Sequence, residues 1–300
     1  MVKQTTLVLF LLILITVIQL ITLYFVNRPL TAEPYVLPKL IWIYWDTEEL
    51  PPLITKIKRY NAPNLEGWTV IYLNNNTLSD YVPASAYPKN YDTLILPAHK
   101  SDWLRLFLLS TYGGCWMDAG IIINTPQAMQ DLYTESLISR ADLTCFRTGP
   151  HTFVHRSGRV LPKAIDNWCI MAPKESMMIK LWLEQFEKAI EMGFLQYKKA
   201  VMAKGVDISA IHFDNLEDTY LTQHITIEAV VQNPALKIPP MVIKVAEDSM
   251  TKLQAEYEYN ADRLAQRMNN DPNVKKLPYI KLTRMCRKAD LTRFFENIKN

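Results

Sequence analysis

The stretch that most constrains the fold is residues 99–124, whose sequence is HKSDWLRLFLLSTYGGCWMDAGIIIN. Its first half repeats apolar residues at the spacing of one helix face, and further leucines widen that face, so it predicts a helix buried on most sides. Two glycines at residues 113–114 predict the helix end. Residues 115–117 and 121–123 are short apolar runs typical of buried strands. Asp118 therefore lies where a buried strand meets a turn, which is where open α/β sheets bind ligands.

Asp102 and Arg105 are polar residues on this apolar helix, and they lie one turn apart on the same side. Polar groups in such surroundings need partners. In one interpretation they form an internal ion pair while Asp118 caps the turn. In the other, the three residues bind a ligand, and this segment alone leaves both open.

The residues before this segment predict an α/β fold. Residues 39–45 (KLIWIYW) are rich in aromatic and branched side chains and predict a buried strand, residues 53–60 predict a helix, and residues 68–73 predict a second strand. Strand, helix and strand in this order predict a right-handed parallel unit. We assign residues 39–240 to one domain and residues 241–300 to a helical, charged part of the same domain.

The later sequence predicts further elements of this domain. Residues 143–146 and 167–172 predict two short buried strands, and Pro173 predicts the first position of a helix. Residues 214–232 carry a second long helical pattern. Tyr220 is expected to share one face of that helix with the residue four positions later, a histidine.

The amino-terminal region predicts a membrane anchor. Residues 7–26 are almost unbroken apolar sequence without a charge, and about 20 helical residues span the ~30 Å core of a bilayer. A cleaved signal peptide is the alternative, but residues 30–32 match a cleavage site poorly. We expect a cytoplasmic tail at residues 1–6, a signal anchor at 7–26 and a stem linker at 27–38. We therefore expect a single-pass type II membrane protein, with its larger part in the Golgi lumen or an equivalent extracytoplasmic space.

The composition bears on two classes of partner. The net charge is +3 over 300 residues, and no basic run carries interleaved aromatic residues, so nucleic acid is not an expected partner. The four cysteines show no C-x-x-C spacing, so a structural zinc site is not expected.

The order S-D-x-x-R, an apolar turn and Y-G-G-x-W-x-D-A in residues 99–124 resembles the donor-sugar-binding segment of glycosyltransferase family 32. It is especially similar to the branch grouped with capsular polysaccharide synthesis proteins. N-W-x-x-x-A at residues 167–172 and Y-x-x-x-H from Tyr220 to His224 also resemble this family. The resemblance implies a GT-A type nucleotide-binding sheet flanked by helices, after the transmembrane helix. It also implies transfer of a hexose from a UDP- or GDP-linked donor to a glycan, lipid or protein-linked acceptor, with retained anomeric configuration.

The resemblance also implies which residues hold the donor. An aromatic side chain of the first strand, Trp42 or Trp45, is expected to stack on the nucleotide base, because every base has a π face. The residues expected to bind the donor are Trp42, Tyr44, Trp45, Ser101, Asp102, Arg105 and Trp116.

Asp118, Asp102 and Arg105 are the expected catalytic residues. A carboxylate-held Mn²⁺ or Mg²⁺ would compensate the charge of the leaving diphosphate, and such hard ions prefer oxygen ligands. Asp102 is expected to accept hydrogen bonds from sugar hydroxyls. Arg105 is expected to fork onto Asp102, a hydroxyl or a phosphate.

The chain departs from the family pattern at residue 120. Many relatives carry D-x-D, and the capsular branch often carries D-A-T or D-A-S, whereas this chain has Asp118-Ala119-Gly120. Glycine offers no side-chain ligand, so metal coordination would fall to Asp118, phosphate oxygens, water and His224. A weak metal site, a metal-independent enzyme, and a degenerate protein that binds glycans or a partner without activity all stay open.

Overall fold

A computed structural model describes residues 35–155, 157–215 and 217–296. From residue 36 onward they belong to one compact unit. The predicted cytoplasmic tail and signal anchor, and the linker as far as residue 34, lie outside the described residues. Among those that are described, no helix has both the length and the apolar character needed to cross a bilayer.

The described residues form ten strands in three sheets. In chain order the strands are β1 (Leu40–Tyr44), β2 (Thr69–Leu73), β3 (Gly114–Met117), β4 (Ile121–Ile123), β5 (Leu143–Arg147), β6 (Thr152–Val154), β7 (Val160–Pro162), β8 (Cys169–Ala172), β9 (Met241–Val245) and β10 (Tyr279–Lys281). The central sheet has six strands in the order β2-β1-β3-β8-β5-β9. Two small sheets pair β10 with β4 and β6 with β7. The fold is therefore mixed α/β.

Helices cover the central sheet. In chain order they are α1 (Pro52–Asn61), α2 (Pro97–Tyr112), α3 (Pro126–Ile138), α4 (Met177–Met192), α5 (Phe194–Ala203), α6 (Thr222–Val231), α7 (Lys252–Glu256) and α8 (Ala261–Asn270). The predicted motif helix is α2, and it is buried on most sides as expected. Gly113 ends it with a positive φ of 69°. At Gly114 an added Cβ would lie 2.5 Å from the Leu40 carbonyl oxygen, so glycine lets β3 pack closely against β1.

The predicted strand–helix–strand unit is confirmed, because β1 and β2 pair in parallel along their full length. β1 also pairs in parallel with β3. The carboxyl ends of both strands therefore lie at one edge of the sheet, and Asp46 and Asp118 follow them there. β8 runs antiparallel to β3 and β5, so its start and the end of β5 lie at this same edge.

Three sequence predictions are wrong in position or type. Residues 241–245 form a strand, not a helix, because they pair in parallel with β5. Pro173 does not begin a helix: α4 begins at Met177, where the Ser176 hydroxyl caps it by accepting a hydrogen bond from the Ile179 amide. The later helix begins at Thr222, so Tyr220 lies before it.

The small sheet of β10 and β4 brings the carboxyl-terminal region against the motif segment. Its register places Lys281 opposite Ile121. The backbone after β10 is also fixed, because the Leu282 amide donates to the Gly120 carbonyl oxygen at 2.8 Å. The Thr283 amide donates to Gln254 Oε1 at 2.8 Å. The segment 281–283 is therefore held directly beside the turn that carries Asp118.

Candidate active site

A cleft of about 590 Å³ opens at the edge where β1, β3 and β5 end and β8 begins. This position follows from the topology, since ligand sites of α/β sheets lie beyond the carboxyl ends of their parallel strands. Eight of the nine residues expected from the sequence line it, and Trp42 is the exception. The eight are Tyr44, Trp45, Ser101, Asp102, Arg105, Trp116, Asp118 and His224.

The expected role of Trp42 in base stacking is wrong. Its side chain is 1% exposed and packs in the core, with ring centroids 5.1 Å from Tyr81 and 5.4 Å from Tyr112. Its indole Nε1 donates to the Gly113 carbonyl oxygen at 3.0 Å. Both faces of a central strand are covered in this architecture, so alternation along β1 does not turn Trp42 toward a ligand. Trp45, just beyond the strand end, is half-buried and lines the cleft.

Asp102 and Arg105 form a buried network with Gln223 and Asn167, to which the sequence assigned no site role. Arg105 Nη1 donates to Asp102 Oδ1 at 2.7 Å and to Gln223 Oε1 at 2.8 Å. Asn167 Nδ2 donates to the same two acceptors, at 3.1 and 2.6 Å. Ser101 Oγ accepts from Arg105 Nη2 at 3.1 Å. The network therefore ties α2 to α6 and to the loop before β8.

The network leaves two polar side-chain atoms without a hydrogen-bond partner within the described structure. Asp102 Oδ2 and Arg105 Nε have no hydrogen-bond partner among the described residues. Asp102 is only 5% exposed, and burial raises the pKa of its carboxyl above the ordinary value, against the opposing charge of Arg105. Asp102 and Arg105 therefore form the internal ion pair of the first interpretation. The same two residues also line the cleft, as the ligand-binding interpretation requires.

Asp118 lies in the floor of the cleft between two cations. Lys281 Nζ donates to its Oδ2 at 2.6 Å, and Arg105 Nη2 lies 3.6 Å from its Oδ1. Trp116 Nε1 also donates to Oδ1, at 3.0 Å. Burial raises the pKa of Asp118, but the positive charges of Lys281 and Arg105 lower it by more, so the pKa is below the ordinary value. Asp118 is therefore an ionised carboxylate with both oxygens in use.

His224, the second expected metal ligand, faces a different carboxylate. Its Nε2 lies 3.7 Å from Asp166 Oδ1. Its Nδ1 is buried and has no hydrogen-bond partner in the described part of the chain. Asp166 also lines the cleft, and it precedes the Asn167 of the buried network. His224 is thus a cleft residue, paired with Asp166.

These side chains do not fit a divalent ion. Within residues 35–155, 157–215 and 217–296, no group of three or more histidine, cysteine, aspartate or glutamate side chains is arranged to hold a metal. A hard cation needs several oxygen ligands. Asp118 offers its oxygens to Lys281, Arg105 and Trp116, and Gly120 offers no side chain.

Basic residues near the carboxyl terminus complete the cleft. Lys281, Arg284 and Arg287 line it, and the Arg287 guanidinium lies 5.7 Å from the centroid of the Trp45 ring. Neither Arg284 nor Arg287 forms an ion pair with another described residue. The sequence signal for this region is the extended stretch at residues 276–282 (KLPYIKL), which interrupts the charged carboxyl-terminal sequence.

Comparison with known proteins establishes the family. A profile described as "Capsular polysaccharide synthesis protein" matches residues 25–192, which is more than half of the chain. The chain belongs to the capsular polysaccharide synthesis protein family. The match spans strands β1 to β8, the motif helix and Asp118, so the resemblance predicted from the sequence is confirmed.

Similar individual proteins of this kind carry glycosyltransferase names. "O-glycosyltransferase PaGT" of Phomopsis amygdali is 27% identical over 170 residues, or 52% of this chain and 39% of its own length. "O-glycosyltransferase braB" of Annulohypoxylon truncatum is 27% identical over 180 residues, or 53% and 39%. This chain therefore spans about two fifths of the length of either relative.

Solved structures with glycosyltransferase titles are also similar to this chain. "PaToxG Glycosyltransferase" matches with a TM-score of 0.38 and 14% identity, over 88% of each chain. A glycosyltransferase involved in the glycosylation of the major capsid of PBCV-1 matches with a TM-score of 0.39 and 11% identity, over 83% of this chain and 96% of the other.

Proposed function

We propose that this protein is a glycosyltransferase with a GT-A type sheet, which moves a hexose from a UDP- or GDP-linked donor to a carbohydrate-bearing acceptor with retained configuration. The observation that carries the proposal is the cleft itself. It combines an aromatic ring at Trp45, the basic residues Lys281, Arg284 and Arg287, and the buried pair of Asp102 and Arg105. Membership of a polysaccharide synthesis family and relatives named O-glycosyltransferase support it.

Each part of the cleft suits one part of a nucleotide sugar. The Trp45 ring offers a stacking surface for the base. The guanidinium groups of Arg284 and Arg287 suit phosphate oxygens, because a planar fork of donors matches that geometry. Asp102 Oδ2 offers an acceptor to sugar hydroxyls.

The proposed reaction breaks the bond between the anomeric carbon and the diphosphate oxygen. A new bond forms from that carbon to an acceptor hydroxyl oxygen, whose proton passes to the departing diphosphate. Fixed positive charge beside the departing oxygens lowers the barrier, because the cleft need not reorganise as the charge develops. Arg284, Arg287 and Lys281 are the residues placed to supply it.

The experiment is a donor screen with the full-length chain. A panel of UDP- and GDP-linked sugars is incubated with and without Mn²⁺, and release of the nucleoside diphosphate is measured beside calorimetric binding of UDP and GDP. We expect slow hydrolysis of one donor. Failure of both nucleotides to bind under either condition would contradict the proposal. Binding without turnover of any donor would favour a degenerate glycan- or partner-binding protein.

A pair of tryptophan variants tests where the base binds. Trp45→Ala should weaken nucleotide binding by about tenfold or more, since stacking contributes ~1–3 kcal/mol per base. Trp42→Phe should leave this affinity unchanged but lower the free energy of unfolding by about 1–2 kcal/mol, because the Gly113 carbonyl loses its buried donor. Calorimetry and thermal unfolding of both variants check this. A stable Trp42→Phe variant with weakened nucleotide binding would show that Trp42 contributes to the binding site.

We further propose that the protein is membrane-anchored through residues 7–26, with the amino terminus in the cytoplasm and the catalytic domain in the Golgi or an equivalent lumen. The uncharged apolar run supports this. Intact vesicles should protect the carboxyl-terminal domain from added protease until detergent is present. Digestion of that domain without detergent would indicate the opposite orientation.

A further inference from the structure

We propose that the Lys281 ammonium takes the place of a divalent metal ion in this cleft, so that the protein binds the diphosphate of its donor without a metal. The inference rests on the proposed function, because the diphosphate is that of a nucleotide sugar. It departs from the expected Mn²⁺ or Mg²⁺ at Asp118. Three features of the described residues carry it: the pairing of Asp118, the packing at Gly120 and the distribution of basic side chains.

The pairing of Asp118 leaves little opportunity for a metal. Lys281 Nζ lies 2.6 Å from Oδ2 and Arg105 Nη2 lies 3.6 Å from Oδ1. The Lys281 side chain is 9% exposed, whereas that of Asp118 is 31% exposed. A divalent ion at Oδ2 would have to approach a buried ammonium at short range, where charge repulsion is weakly screened. The negative charge of Asp118, which a metal would need, is already balanced by the Lys281 ammonium.

The packing at Gly120 links the missing second acid to the presence of this lysine. A Cβ at residue 120 would lie 2.8 Å from the Leu282 carbonyl oxygen and 3.4 Å from Arg287 Cδ. The Leu282 amide also bonds to the Gly120 carbonyl oxygen. The backbone that delivers Lys281 therefore occupies the space of a side chain at residue 120. A chain with this arrangement cannot hold both the lysine and a second carboxylate there without moving.

The remaining basic groups suit a diphosphate. An ammonium has three donors, so Lys281 keeps two N–H groups beyond the one that faces Asp118. Arg284 and Arg287 line the same cleft, and Arg287 lies against the Trp45 ring. A nucleoside diphosphate with its base at Trp45 would thus place its phosphates beside three cationic side chains. Arg284 and Arg287, which form no ion pair with another described residue, together carry the same charge as one divalent ion.

The test measures binding by the full-length chain to three probes, UDP, GDP and inorganic pyrophosphate, by calorimetry. Each titration is run in excess EDTA and again with Mn²⁺. For every probe that binds, we expect the affinities in EDTA and in Mn²⁺ to agree within about threefold. A fall of more than about tenfold in EDTA overturns the inference. Absence of binding in both conditions instead removes the proposed function.

Variants of Lys281 separate its charge from its packing. Lys281→Met keeps most of the aliphatic length, and its affinity in EDTA should fall by at least about tenfold. Mn²⁺ should then restore binding, because Asp118 has lost its ammonium partner. Lys281→Arg retains a cation and should keep binding in EDTA. Unchanged binding of Lys281→Met in EDTA would contradict the inference.

The matched control is Lys244→Met. Lys244 lies on β9 and pairs with Glu135 at 2.6 Å, outside the cleft. Its replacement removes an ion pair of similar length and should leave affinity the same with EDTA and with Mn²⁺. Thermal unfolding is measured for all variants. If Lys281→Met does not fold, the wild-type comparison and Lys281→Arg still decide the question.

Discussion

Asp102→Asn is expected to lower turnover of the donor by at least about a hundredfold, as loss of one preorganised polar group does in other active sites. An asparagine Oδ1 can still accept the hydrogen bonds from Arg105 and Asn167, which both use Oδ1 of the aspartate. Its Nδ2 would replace Oδ2, however, and would present a donor where the sugar needs an acceptor. The loss of charge also leaves Arg105 with Asp118 as its remaining carboxylate neighbour.

Binding of free UDP or GDP should separate this effect from misfolding. These nucleotides lack the sugar, and the basic residues proposed for their phosphates lie on the carboxyl-terminal segment, so Asp102→Asn should retain their affinity within about threefold. Arg105→Lys should resemble it, because an ammonium cannot serve the partners of both Nη1 and Nη2 at once. Steady-state turnover and calorimetry on the same preparations check both variants.

The control is Asp142→Asn. Asp142 Oδ2 accepts from the Met178 amide at 2.6 Å and from Ser176 Oγ at 3.1 Å, at the start of α4 and outside the cleft. This variant should lose stability and keep its turnover below the unfolding temperature. If Asp102 and Arg105 were only a buried ion pair, Asp102→Asn would behave in the same way. Breaking such a pair costs ~3–5 kcal/mol. Normal turnover of a folded Asp102→Asn variant would remove Asp102 from the site.

Gly120→Asp should lower the free energy of unfolding by about 1–3 kcal/mol, the cost of forcing extra atoms into a packed region. The new Cβ would meet the Leu282 carbonyl oxygen at 2.8 Å, so the backbone beside Lys281 must move. We expect the movement to separate Lys281 from Asp118 and to create a pair of carboxylates two residues apart. Diphosphate binding should therefore weaken in EDTA and become dependent on Mn²⁺.

Gly120→Ala is the matched control for this change. It introduces the same Cβ but no second carboxylate, so it should lose stability and EDTA-resistant binding and show a weaker response to Mn²⁺ than Gly120→Asp. Thermal unfolding and pyrophosphate calorimetry measure both properties. A Gly120→Asp variant with wild-type stability and unaltered binding would show that the contact with Leu282 places no constraint on residue 120.

The sequence predicted the elements whose signals are local. The helix α2 and the strands β1, β3 and β4 follow from apolar periodicity and from the glycines at residues 113–114. The strand at residues 241–245 (MVIKV) was missed although its branched residues favour a strand, because the surrounding charged sequence suggested helix. Its pairing with β5 is a long-range contact that no local pattern specifies.

The site was predictable to a similar extent. The motif identified Asp102, Arg105 and Asp118 because they lie within one short segment. Gln223 lies 118 residues from Arg105, and Lys281 lies 163 residues from Asp118. Their partners are set by tertiary packing, so sequence spacing gives no indication of either contact.

The pairing of β10 with β4 has a consequence for biosynthesis. The ribosome makes Asp118 and its surrounding strands long before it makes Lys281. Until β10 has been translated and added to the nascent domain, Asp118 is without its ammonium partner and the cleft lacks its basic residues. Chains interrupted before residue 279 should therefore bind no donor, so a polypeptide released early would be unable to consume nucleotide sugar before its synthesis is complete.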